Sequence, residues 1–173
     1  MTAKTHFAFS FLTLSAAGIP RDIALAASLM SLVPDIDHTA SLTGRLFPMI
    51  SKPLMTRFGH RTLTHSLPFL VLIAAVLIPL LFLFPLLYRA LVVAYASHIF
   101  IDCVNLAGIR LLYPFSQKEY ISFKTENLRI KVSSWREYAL FVLILIAIVS
   151  LSGRTVSITQ AAFSVSRYFF KSY

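Results

Sequence analysis

Residues 66–88 read SLPFLVLIAAVLIPLLFLFPLLY, 23 positions without a charge. A bilayer core of ~30 Å takes ~20 apolar helical residues, so this run predicts a membrane-crossing helix. Pro79 is expected to kink it and Pro85 to lie in the turn that follows. Working outward, residues 86–103 return across the membrane, and residues 138–151 form another intensely apolar span. Upstream, residues 5–17 and 22–33 are apolar but shorter, separated by Gly18 and Pro20, with Asp22 near a helix start. They read as short tilted spans, a re-entrant hairpin, or helices packed inside the bundle. The first resembles a signal peptide, but His6 lies within it and a short turn leads straight into the next segment, so it is read as retained.

Residues 39–60 and 104–135 read as polar, basic connections, the first broken by Pro48, Pro53 and Gly59. Residues 1–152 are expected to form one membrane-embedded domain. The tail 153–173, with Arg154, Arg167, Lys171 and several aromatics, reads as an interfacial helix. The expected fold is an all-α membrane protein of about four to five transmembrane or membrane-embedded helices, with a polar site at helix ends on one side.

Composition supports this. Hydrophobic residues make up 57% of the 173 positions and charged residues 13%, too few charges for a soluble domain of this length. The net charge of +9 would suggest nucleic acid in a soluble protein. Here it reads as juxtamembrane Lys and Arg meeting anionic lipid, with no nucleic-acid partner expected. The single cysteine, Cys103, excludes an internal disulfide and reads as a small apolar residue on a helix.

The rare polar residues cluster. All five histidines stand in or beside four short motifs: His6, Pro34-Asp35-Ile36-Asp37-His38, His60-Arg61-Thr62-Leu63-Thr64-His65-Ser66, and His98 with Asp102 one helical turn on. Imidazole and carboxylate are ligands of zinc and other first-row divalent metals. An up-and-down bundle puts all four motifs on one side of the membrane. His6, Asp35, Asp37, His38, His60, His65, His98 and Asp102 are therefore candidate ligands. They exceed the needs of one tetrahedral ion and suit two or three divalent ions, zinc by donor type. Arg61 suits a phosphate or carboxylate through its two-point fork. Asp37 offers a spare carboxylate for base chemistry, and Thr64 a substrate contact or, like Ser66, a helix cap. Each motif also has a plain structural reading, such as a buried His–Asp hydrogen bond or a solvated loop.

Lys and Arg number 11 on the motif side against 5 on the other, so the site is expected to face the cytoplasm. The function expected is a membrane-bound, metal-dependent hydrolase of a phosphate ester, such as a phospholipid or lipid-linked phosphate. A divalent-metal transporter or sensor, and a structural membrane protein of a stress response, are the alternatives. The charge-free run 66–88 offers no polar path and weighs against transport.

PDIDH at 34–38, HRTLTHS at 60–66, the His98/Asp102 pair and the early His6 together resemble the bacterial YdjM family over roughly residues 1–115. That resemblance implies a multi-pass inner-membrane protein, LexA-regulated within the SOS response, and a metal-dependent hydrolase. More distantly, the His/Asp pattern is similar to the sites of zinc-dependent phospholipase C and P1-type nuclease.

Overall fold

The computed structural model describes residues 1–120 and 129–170, the stretch 154–170 by backbone only. Among the described residues the regular structure is helical, joined by turns and loops that carry two isolated bridges, Asn105 with Ile130 and Ile109 with Tyr120. In order the helices are α1 (Ala3–Ala16), α2 (Arg21–Ser28), α3 (Leu42–Leu46), α4 (Pro48–Phe58), α5 (Leu67–Val76), α6 (Ile78–Leu83), α7 (Pro85–Asp102) and α8 (Trp135–Phe170). Two 3₁₀ turns, Leu29–Leu32 and Pro34–Asp37, follow α2.

The run 66–88 does not form one helix. Ser66 caps α5 by accepting from the Phe69 amide. The helix then breaks at Leu77, and α6 begins with Pro79 in its first turn. Pro85 opens α7. Proline is tolerated in a first helical turn because no intrahelical donor is needed there. The two prolines therefore act as helix starts rather than as a kink and a turn.

Among the described residues, one helical stretch is long and apolar enough to cross a bilayer, Trp135–Gly153 of α8. The apolar run expected over 138–151 is thus lengthened at both ends. The expectation of an interfacial tail helix concerns side chains outside the described residues.

Residues 39–60 were expected as a connection, yet they hold α3 and α4. Pro48 supplies the N-terminal turn of α4, and Pro53 is carried inside it. Gly44 of α3 packs so closely that a Cβ would overlap the His38 carbonyl.

Helices α1, α2 and α7 meet around Leu14, Ala24, Ala27, Ala90 and Ala94, all fully buried. Four alanines in this set let the helices approach closely. Toward the other end of α1, Ala8 packs with Ile101 of α7 and Ile144 of α8. Helix α8 is pinned beside α1 by Glu137, whose Oε1 accepts from the Thr2 hydroxyl at 2.9 Å and the Thr5 hydroxyl at 2.9 Å. Its Oε2 accepts from the Ser133 amide at 2.6 Å.

Candidate metal centre

Four separate segments bring polar side chains to one end of this bundle. His6 comes from the first turns of α1, Asp35 and Asp37 from the second 3₁₀ turn, His60 to His65 from the loop before α5, and His98 and Asp102 from the last turns of α7. His6, His65, His98 and Asp102 have no solvent exposure.

At the junction, His65 Nε2 and His98 Nε2 face each other at 3.0 Å. Asp35 Oδ1 lies 3.6 Å from the first and 3.7 Å from the second. Asp102 Oδ2 lies 3.7 Å and 3.9 Å from the same two atoms. Ligands of a tetrahedral ion with bonds of about 2.05 Å stand about 3.3 Å apart. These five separations run from 3.0 to 3.9 Å, near that spacing.

The outer nitrogens decide what the inner ones can be. His98 Nδ1 is 2.6 Å from the Ser31 carbonyl, which only accepts, so Nδ1 carries the proton. His65 Nδ1 is 3.0 Å from Thr64 Oγ1, whose own hydroxyl donates to Asp37 Oδ2 at 2.8 Å. It too is a donor. Both Nε2 atoms therefore carry lone pairs in the neutral rings, and two lone pairs at this distance require a cation between them, a proton or a metal ion. The donor types, two imidazole nitrogens with two carboxylates, fit a divalent metal.

Asp37 plays a different part from Asp35. Its Oδ1 meets His60 Nδ1 at 2.7 Å. Its Oδ2 accepts from the Arg61 amide at 3.0 Å and from Thr64. Both oxygens are engaged by the protein, which is how a carboxylate outside the ligand set orients histidines. Its nearness to His60, His65 and Asp35 still makes these four a donor group within 4.8 Å of one another. His6, His98 and Asp102 make a second such group. His6 stacks on His98 with ring centroids 3.7 Å apart, and its Nε2 is 3.4 Å from Asp102 Oδ1. Neither His6 nitrogen has a hydrogen-bond partner although both are buried. Asp102 Oδ1 also receives the amino group of Met1 at 2.8 Å.

Arg61 is held in a left-handed backbone conformation, φ 63°, uncommon outside glycine. Its Nε reaches Asp102 Oδ2 at 3.2 Å without a well-aligned hydrogen bond. His38 stands apart from the junction, its ring 4.7 Å from that of His60. Thr64 is buried and its hydroxyl is committed to Asp37.

Charge follows the geometry. Burial pushes the Asp35 and Asp37 carboxyls up, but contacts with His65, and for Asp37 also His60, outweigh it and hold both well below the usual range. Burial pushes His65 down, but Asp35 and Asp37 outweigh it and raise the ring to about 9. Burial and the neighbouring His60 lower His38.

A cavity of 880 Å³ opens over the junction, lined by Asp35, His38, His60 and Arg61, with Arg45 and Lys131 adding positive charge. Sequence reasoning missed four contributors. Ser31 acts through its backbone carbonyl, which leaves no side-chain signal. Tyr95 braces the loop by donating to the Thr64 carbonyl at 2.6 Å. Arg45 and Lys131 lie in segments read only as basic connections. A charge count along those segments marks them as candidates but gives no direction.

The fold and site together define a class: a helical membrane protein with a buried His/Asp donor set at one end of its bundle. The chain belongs to the YdjM inner membrane protein family, whose model matches residues 1–173. It is 37% identical over 122 residues to the uncharacterized protein YvsG of Bacillus subtilis (strain 168), covering 66% of this chain and 74% of that one. It is 38% identical over 96 residues to the inner membrane protein YdjM of Escherichia coli (strain K12), and likewise to that of Shigella flexneri. Those matches cover 53% of this chain and 49% of the relatives, about half their length. No solved structure matches.

Proposed function

We propose that this chain is a multi-pass inner-membrane hydrolase that uses a divalent metal, zinc by donor type, to cleave a phosphate ester at the cytoplasmic surface. The observation that carries the reading is the facing pair of Nε2 atoms on His65 and His98, 3.0 Å apart, with Asp35 Oδ1 and Asp102 Oδ2 each within 3.9 Å of both. These four residues would hold the ion, and His6 stands beside the remaining Asp102 oxygen, which the Met1 amino group engages. A bound divalent ion supplies positive charge for a phosphoryl oxygen and makes water more acidic.

The chain's own residues do the rest. Asp37 fixes His60 with Nδ1 as donor, which leaves Nε2 as an acceptor at the cavity, where it takes the proton from water. Arg61, beside Asp102 and lining the same cavity, orients the anionic group through its fork. Arg45 and Lys131 attract the anion to the cavity. The Lys and Arg excess on the motif side supports a cytoplasmic site.

The test uses protein purified in detergent and never exposed to chelator. Metal analysis should give at least one divalent ion per chain, and His98→Ala should lose it while the chain stays folded. Arg61→Lys should keep the metal and lower phosphate-ester turnover by roughly tenfold, because the charge remains but the planar fork is lost. Full metal content in His98→Ala would leave the cluster as packing alone.

A further inference from the structure

A second cavity lies beside the polar one. It has a volume of 490 Å³, and Lys4 is the one charged residue in a wall otherwise built from apolar side chains. Phe7, Ala8 and Phe11 of α1 face Phe141, Leu145 and Ile148 of α8 across it. These spacings are one face of each helix. Helices α1 and α8 run in the same direction. Glu137 joins them at the metal end, and Ser15, Gly18, Leu151 and Ser152 line one cavity at the far end. The slot therefore starts at the metal end and descends along the stretch of α8 that suits a bilayer. From Ala3 to Phe11 its length is about 12 Å at ~1.5 Å per residue.

Two features tie the slot to the site. Ala3 and Leu42 line both cavities, so the apolar slot continues into the polar one. The polar cavity presents Arg45, Arg61 and Lys131 against the single carboxylate of Asp35, and Lys4 stands at the slot's upper end, 4.4 Å above the Tyr138 ring. A cation-lined chamber joined to an apolar slot matches one kind of molecule, a hydrocarbon chain with an anionic head.

We propose that the α1/α8 slot binds the hydrocarbon tail of an anionic phospholipid while its phosphate occupies the cavity over the metal centre. This rests on the hydrolase reading and names the substrate class: a lipid phosphate delivered from within the bilayer, not a free phosphate ester. Long-chain esters then gain binding from the slot, whereas short-chain esters meet only the polar chamber.

The test uses the full chain in detergent with its metal, and a dodecyl phosphate carrying a diazirine at the chain end. Cross-links should map to the slot faces of α1 and α8 and be competed by dodecyl phosphate but not by dodecyltrimethylammonium. Leu145→Trp, at a position already half-open to the surroundings, should reduce them about tenfold, and Ile148→Trp serves if that variant does not fold. Labelling spread over α5 and α6, equal competition by the cationic amphiphile, or labelling indifferent to both variants would overturn the slot. Hydrolysis is scored separately, with dodecyl phosphate and with p-nitrophenyl phosphate. Slot labelling in a chain that cleaves no ester would sink the hydrolase reading and leave the slot. Cleavage of p-nitrophenyl phosphate together with scattered labelling would do the reverse.

Discussion

His98 Nδ1 donates to the Ser31 carbonyl at 2.6 Å, and that bond sets the chemistry of the opposite nitrogen. The Ser31 carbonyl belongs to the 3₁₀ turn Leu29–Leu32, whereas His98 belongs to α7. The contact locks the ring's tautomer and its orientation together. His65 is locked from its own side through Thr64 and Asp37, so two elements distant in sequence aim lone pairs at one point.

Metal loading should release a proton. In the metal-free chain His65 is held protonated up to about pH 9, because Asp35 and Asp37 outweigh the effect of burial. A metal ion must displace that proton. Apparent affinity should therefore rise about tenfold per pH unit below 9 and level off above it. Calorimetric titration in buffers of different ionisation enthalpy counts the proton; no buffer dependence would show that His65 stays out of the metal shell.

Asp37→Asn should weaken metal binding or activity by about 10–100-fold while preserving size and fold. An amide cannot match a carboxylate that accepts from His60, Arg61 and Thr64 at once. Equilibrium dialysis and turnover with one ester separate the two effects. An unchanged variant would mean that Thr64 and the backbone alone hold the histidines.

Glu137→Ala should destabilise the chain by about 1–3 kcal/mol, since it removes the acceptor of the buried Thr5 hydroxyl and the partner of the half-buried Thr2 hydroxyl and the exposed Ser133 amide. Thermal unfolding in detergent reads this directly. Metal content should persist, because the junction ligands lie on other elements. A matching loss of metal would show that α8 also holds the centre closed.

Sidedness is open to labelling. With Cys103 replaced by Ala, Gln117→Cys should resist an impermeant thiol reagent in intact cells and react after lysis. Asp22→Cys, exposed at the opposite end, should react in intact cells. The reverse pattern would move the centre to the outer face.

The convergence of the motifs was legible because it depends only on alternation: helix ends that share a side meet if the bundle is up-and-down. His6, Asp35, His65, His98 and Asp102 could be marked from that alone. The division of labour between Asp35 and Asp37 was not legible. Two residues apart says nothing about which carboxylate turns inward, and the 3₁₀ turn decides it. Helix α4 was missed because Pro48 and Pro53 read as breakers, yet the first sits where a helix needs no donor. The run 66–88 was misjudged in the opposite sense, for its prolines begin new helices.

The Glu137 pin has a consequence for how the molecule is made. Every residue of the candidate donor set lies between His6 and Asp102, so that set is complete once α7 has been synthesised. The wall formed by α8 follows α7 and must find a partner made well before it, at Thr2 and Thr5. Contacts this far apart in sequence form late. The nascent chain thus has an interval in which its donor residues are present while the flank of α1 still lacks its α8 wall.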